Sequence, residues 1–242
     1  SYASVRQLFE ESDDALGFSL TKLCFEGPDE ELMLTYNTQP AILTASTACN
    51  LVLKEEGFQP DIVAGHSLGE YSALVAAGSL DFADAVRTVR LRGQFMQEAV
   101  PLGEGAMAAI LGLDEEKIKS ICTQISTQGA TVEAVNFNCP GQIVIAGATK
   151  AVEQAVESMK EAGAKRAVML NVSAPFHSTL MQPAAERLAE VLDTITIRDA
   201  VIPVVANVNG EIERTAADIK ASLVKQAASP VLWVKCVQTM QT

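Results

Sequence analysis

The sequence predicts an α/β fold interrupted by a small inserted domain, on three observations. A short apolar run, Ile62 to Ala64, stops at Gly65-His66-Ser67-Leu68-Gly69 and is followed at once by a helix-like segment, Glu70 to Ala77. Strand and helix patterns alternate around this stretch. Between residues 104 and 172 the rhythm becomes strand, helix, strand, strand, helix, strand.

Composition sets the frame. The chain has 242 residues, 48% hydrophobic and 20% charged, enough to bury a substantial core. No apolar run approaches the length that spans a bilayer, and Ser1-Tyr2-Ala3-Ser4 lacks a basic-then-apolar leader, so a cytoplasmic protein is expected. A net charge of -12 argues against nucleic-acid binding. The five cysteines, Cys24, Cys49, Cys122, Cys139 and Cys236, are scattered and read as reduced, mostly buried thiols. No cluster has metal-ligand spacing.

In chain order, the first sixty residues read as helical, in two stretches: Tyr2 to Leu16, whose pattern is mixed, and Gln39 to Glu56. The second places Ile42, Ala45, Cys49, Val52 and Leu53 on one face, with Pro40 near its start. These are expected to be packing elements without chemistry. The Gly65-to-Gly69 stretch has the strand, sharp turn, helix layout of a nucleophile elbow. A nucleophile at the tip takes a strained backbone, and side chains at Gly65 and Gly69 are expected to collide with neighbouring backbone. Ser67 is therefore the first candidate for chemistry, although Gly-x-Ser-x-Gly alone also recurs by chance in loops.

Asp81 reads as the N-cap of a helix running to about Val100, with Phe82, Ala85, Val86, Val89, Gly93 and Met96 as its apolar stripe. Arg87 projects away from the stripe and Arg90 lies off one flank. Arg92, three after Val89 and four before Met96, borders the buried face. A guanidinium there needs an anion or bears a desolvation cost. It is either a structural partner of an internal carboxylate, a stem lying on apolar surface with its head in water, or a clamp for a substrate carboxylate.

The segment from Ala106 to Val172 reads as βαββαβ, a ferredoxin-like unit inserted at 104–172; the alternative is one continuous α/β sheet. After it comes the loop Ser173-Ala174-Pro175-Phe176-His177-Ser178 and a helix around Pro183 to Leu192. With only His66 and His177 in the chain, few residues can act as base. His66 sits beside Ser67 on a tight turn and points poorly at it. His177, in a connector, is the better candidate, against the ordinary alternative of a structural histidine. Val201 to Asn207 reads as a strand, Thr215 to Ala227 as a capped helix, and Pro230 to Met240 as an amphipathic segment. The sheet is expected to be incomplete at both ends, as though the chain were trimmed.

Four stretches together closely resemble the malonyl-CoA:acyl carrier protein transacylase family of fatty-acid and polyketide synthesis. They are Gly65 to Leu74, Arg92 to Pro101, Asn136-Phe137-Asn138-Cys139-Pro140-Gly141-Gln142, and Pro175-Phe176-His177. The resemblance covers essentially the whole chain. It implies an α/β, hydrolase-like core with a central, mostly parallel sheet and a nucleophile elbow (1–103 and 173–242), plus the ferredoxin-like small domain (104–172).

Carried over by position, the resemblance makes Ser67 the nucleophile, His177 its base, the Gln226 backbone carbonyl the group that orients His177, and the Leu68 amide an oxyanion donor. Arg92 becomes the partner of the malonyl carboxylate, with His66, Phe176, Met96, Asn136 and Asn138 as substrate-binding positions. Phe176 is expected to exclude an α-methyl branch. The family's N-terminal Gly-Gln-Gly-Ser-Gln motif and closing Gly-Pro-Gly segment do not occur in this sequence.

The implied reaction is ping-pong transfer of malonyl from coenzyme A to the phosphopantetheine thiol of acyl carrier protein through a malonyl-serine ester. Malonyl-CoA and phosphopantetheine are substrates; no cofactor and no metal are expected, and the protein is expected to be a monomer. Lys150, Lys160, Lys165, Arg166 and Arg187 are candidates for docking the acidic carrier, or else ordinary solvated charges. Two other classes remain open: a serine hydrolase or thioesterase with the same elbow, and a non-catalytic acyl-binding remnant.

Overall fold

The computed structural model describes residues 2–127, 129–172 and 174–242. Ser173, the first residue of the expected histidine loop, lies outside them. In chain order the elements are α1 (Ala3–Leu16), α2 (Leu20–Glu26), α3 (Asp29–Leu32), α4 (Thr35–Glu55), β1 (Val63–Ala64), α5 (Leu68–Ala76), α6 (Phe82–Glu98), β2 (Gly105–Leu111), α7 (Glu115–Ser126), β3 (Val132–Cys139), β4 (Gln142–Ala148), α8 (Thr149–Glu161), β5 (Arg166–Met169), a 3-10 turn (Thr179–Met181), α9 (Gln182–Thr194), β6 (Val204–Val205), β7 (Ile212–Glu213), α10 (Ala216–Gln226) and α11 (Trp233–Met240). Among the described residues no helix is long and apolar enough to cross a membrane.

The chain divides into two compact units. The first comprises Ser1–Phe95, Leu188–Ala206 and Glu211–Ser222. Here α4 packs on α1 and α5, and β1 runs parallel to β6, which pairs antiparallel with β7. This mixed three-stranded sheet stands where a larger, mostly parallel one was expected; the described residues do not form that central sheet. The expected strand Val201 to Asn207 contracts to two residues. Pro203 has no N–H for a ladder, and the Val201 amide donates to the Ala77 carbonyl at 2.9 Å, at the end of α5.

Helix α4 corrects a second expectation. Its predicted apolar face points outward, with Ile42 and Leu53 about half exposed. The buried face carries Gln39, Pro40, Leu43, Thr44, Thr47 and Ala48. The threonines can be buried because their hydroxyls donate back one turn, Thr44 to the Pro40 carbonyl and Thr47 to that of Leu43, both at 2.8 Å.

The second unit comprises Met96–Arg187, Asn207–Gly210 and Leu223–Thr242, a wider span than 104–172. Its four-stranded sheet has the order β3-β4-β2-β5, all pairs antiparallel. On one face Ile110, Val132 and Ile145 pack with Ile118 and Cys122 of α7 and Val152 and Met159 of α8. The other face gathers Met107, Val135, Val144 and Ala146, with Phe176 against them. The span widens because Val231 exchanges backbone bonds with β3, to the Val135 carbonyl at 2.8 Å and from the Phe137 amide at 3.0 Å. The cysteines are free, but Cys49 and Cys139 are exposed rather than buried. Burial pushes the Cys122 thiol up to about 12.

Candidate active site

In the first unit β1 ends at Ala64 and α5 begins at Leu68, so the turn between them has three residues. Ser67 sits at its tip with φ 53 and ψ -109. Only Ser67 and His177 have positive φ among the described non-glycine residues. A Cβ at Gly65 would lie 1.9 Å from the Gly69 carbonyl oxygen, so position 65 accepts no side chain. The expectation for Gly69 is corrected: a Cβ there meets nothing within 4 Å beyond its own helix.

Strain at Ser67 has a measurable consequence. A non-glycine residue in this region carries about 1–3 kcal/mol of strain, partly offset in a glycine variant by about 0.5–1 kcal/mol of unfolded-state entropy. Ser67→Gly is therefore expected to unfold roughly 2–4 °C above Ser67→Ala, which equally lacks the side-chain hydroxyl, read by calorimetry. An equal or lower midpoint would show that the turn is not strained.

Ser67 caps α5 with its backbone and makes no side-chain cap bond. The Leu68 amide is the first of the helix, where the helical pattern offers no upstream acceptor, and the helix dipole adds positive potential at that end. His66 is half-buried, and its carbonyl accepts from the Gly69 amide at 2.9 Å.

Helix α6 buries Ala85, Val86, Val89 and Met96 as its stripe predicts. Arg87 faces outward onto Asp84 at 2.6 Å. Arg90 is half-buried, donates to Asn37 Oδ1 at 2.6 Å and stacks 4.4 Å over the Phe18 ring. Arg92 is 2% exposed. Its Nη1 donates to Gln39 Oε1 at 2.7 Å and its Nη2 to Ser67 Oγ at 3.1 Å. Desolvation pulls the guanidinium below its usual range, while Tyr71 and Glu70 act in the opposite sense. Arginine starts so high that the group stays charged. The Arg92 guanidinium carbon is 5.7 Å from the centre of the Tyr71 ring, and burial holds that phenol well above its ordinary value, so the ring is neutral.

Gln39 was missed in the sequence. It lies in a helix expected to hold no chemistry, yet its amide reaches Arg92, which itself bonds Ser67. The available signal was the polar pair Asn37 and Gln39 ahead of Pro40, on a helix whose apolar face had been assigned elsewhere.

In the second unit His177 is 3% exposed and has φ 65. Its loop is pinned from several sides. Gly105 lets Pro175 approach so closely that a Cβ would lie 2.3 Å from Pro175 Cδ. Ser178 Oγ donates to the Pro175 carbonyl at 2.7 Å, and the Thr179 amide and hydroxyl donate to the Glu133 carboxylate at 2.7 and 3.0 Å. His177 Nδ1 lies 2.9 Å from the Gln226 carbonyl oxygen. A carbonyl can only accept, so Nδ1 carries a proton, and in the neutral imidazole it is Nε2 that can act as base.

Met96 is 2% exposed in this unit. Asn136 and Asn138 are half-buried on β3, and the buried Asn136 Oδ1 has no hydrogen-bond partner among the described residues. The structure thus brings Ser67 and Arg92 together in one unit, with Gln39 added, and His177 and Gln226 together in the other.

Comparison with known proteins identifies the family. The family model described as acyl transferase domain matches residues 2–240. A malonyl CoA-acyl carrier protein transacylase of Bacillus subtilis is 55% identical over 237 residues, which is 98% of this chain and 75% of that protein. The crystal structure of an acyl carrier protein S-malonyltransferase from Vibrio cholerae superposes with a TM-score of 0.97 at 50% identity, covering 100% of this chain and 79% of the other. A malonyl-transacylase solved in complex with a type II PKS acyl-carrier protein gives 0.96 at 51% identity, covering 99% and 78%. Such identity over nearly the whole chain places the protein in the acyl transferase domain family, among the malonyl CoA-acyl carrier protein transacylases.

Proposed function

We propose that the chain works as a malonyl-CoA:acyl carrier protein transacylase for fatty-acid synthesis, with Ser67 as nucleophile, His177 as base and Arg92 as the malonyl clamp. The observation that carries the reading is the buried Arg92 guanidinium 3.1 Å from Ser67 Oγ, a cation held at the position where the acyl group of a serine ester begins. His177 Nε2 takes the Ser67 proton as Oγ attacks the malonyl thioester, the Leu68 amide donates to the oxyanion, and the coenzyme A thiolate leaves with the proton from His177. The carrier's phosphopantetheine thiol then attacks the malonyl-serine ester by the reverse steps. Gln226 holds the imidazole through a carbonyl, which differs from the carboxylate of the hydrolase alternative.

The remaining assignments belong to the same proposal. His66, Phe176, Met96, Asn136 and Asn138 contact the substrate, and Phe176 excludes an α-methyl branch. Segments 1–103 and 173–242 form the hydrolase-like core around the parallel β1–β6 pair, and 104–172 forms the inserted domain. The chain acts as a monomer in the cytoplasm, where coenzyme A thioesters and carrier protein meet, without nucleic acid or membrane. Of the basic docking candidates, Lys160 pairs with Glu157 at 2.7 Å and Arg187 with Glu98 at 2.6 Å, so Lys150, Lys165 and Arg166 are preferred for the carrier.

The direct test is incubation with malonyl-CoA followed by intact-mass analysis. One malonyl group per chain on Ser67, discharged by carrier thiol faster than by water, supports transfer. Prompt hydrolysis points to a thioesterase, and absence of labelling to a non-catalytic protein. The clamp has its own test. Arg92→Ala is expected to lower kcat/KM for malonyl-CoA by roughly ten- to a hundredfold, the range for a hydrogen bond to a charged group. Transfer of acetyl is spared or raised, since acetyl presents no carboxylate. An unchanged malonyl-over-acetyl ratio would remove Arg92 from the site.

A further inference from the structure

We propose that Gln39 is a specificity-determining positioning residue, a neutral acceptor that aims the Arg92 guanidinium at Ser67 while leaving its charge for the substrate carboxylate. The proposal rests on the malonyl-transfer reading and deepens it. Helix α6 meets the start of α4 at Gly93, where a Cβ would lie 2.6 Å from Tyr36 Cα and 2.8 Å from the Thr35 carbonyl oxygen. That backbone approach occurs one residue from Arg92 and three to four from Gln39, so two long side chains from different helices meet within the same buried layer. Gln39 is 6% exposed.

A guanidinium is a flat, rigid fork on a flexible stem. Fixing Nη1 on Gln39 Oε1 at 2.7 Å stops rotation about its last bonds, and Nη2 then falls on Ser67 Oγ at 3.1 Å. The chemical type of the acceptor matters as much as its place. A carboxylate of the same shape would hold the fork equally well but pair with it as an ion, and in a buried setting that pair strongly opposes binding of a second anion. A carboxamide orients without neutralising. The choice of glutamine over glutamate at position 39 therefore keeps the clamp open to a carboxylate-bearing acyl group.

The test compares kcat/KM for malonyl-CoA and acetyl-CoA in the wild-type chain, Gln39→Glu, Gln39→Met, Arg92→Ala, and Gln39→Glu combined with Arg92→Ala. Gln39→Glu is expected to lower the malonyl-to-acetyl ratio roughly ten- to a hundredfold. Gln39→Met, neutral and of similar length, is expected to raise KM for malonyl-CoA by about tenfold with a smaller change for acetyl-CoA. In the Arg92→Ala background Gln39→Glu is expected to leave the ratio where Arg92→Ala alone puts it, because the two residues act as one unit. A wild-type ratio in Gln39→Glu, equal losses for both donors in both Gln39 variants, or a further fall in the double variant would each overturn the proposal alone. A wild-type chain that transfers malonyl and acetyl alike would overturn the malonyl reading, and this proposal with it.

Discussion

Ser67→Ala is expected to lower malonyl transfer by about 10⁴- to 10⁶-fold, the scale on which serine acyl-transfer enzymes lose kcat when the nucleophile is removed. Alanine and serine differ by one oxygen and share the same backbone demand at φ 53, so the variant keeps the strained turn and isolates the chemistry. The same sample should take up no malonyl group by intact mass. Binding should change much less than turnover, because Arg92 loses only the Ser67 hydroxyl while its bond to Gln39 remains. Transfer above about one per cent of wild type would mean that the acyl group is carried elsewhere.

The second large effect is expected at His177. Removing a general base costs about 10²- to 10⁴-fold. The suitable replacement is asparagine rather than alanine, because φ 65 at this position lies in the left-handed region that asparagine tolerates better than other non-glycine residues. His177→Asn is expected to slow acylation of Ser67 and discharge to the carrier thiol alike, since one imidazole serves both halves of the cycle. Single-turnover measurement of each half separates this outcome from a folding defect. A variant that slows one half alone would assign the other proton transfer to a different group.

How far the sequence reached depended on the range of the interaction involved. The elbow was legible because its requirements are local: a strand residue, a glycine pinned by backbone four residues further on, and a helix start fall within a few positions. Arg92 was legible because helical period alone puts it beside Val89 and Met96. The antiparallel sheet followed from strand and helix order between Gly105 and Met169. Gln39 was not legible, since its bond to Arg92 spans 53 positions and follows from a helix contact that no local pattern encodes. Helix α4 misled for a related reason. Thr44 and Thr47 look polar in a hydropathy pattern, yet each satisfies its hydroxyl on its own helix, which lets the less apolar face turn inward. The strand near Val204 shrank because Pro203 and the Val201 amide commit the backbone elsewhere.

The two glycines that frame Ser67 are unequal, and the difference bears on mutational tolerance. At position 65 any side chain would enter space held by the Gly69 carbonyl, whereas position 69 faces open room. In a saturation library selected for acyl transfer, position 65 should return glycine alone, while position 69 should admit small residues at reduced fitness. A symmetric Gly-x-Ser-x-Gly pattern therefore overstates what the backbone requires. For this elbow the steric information sits almost wholly in the glycine that precedes the serine.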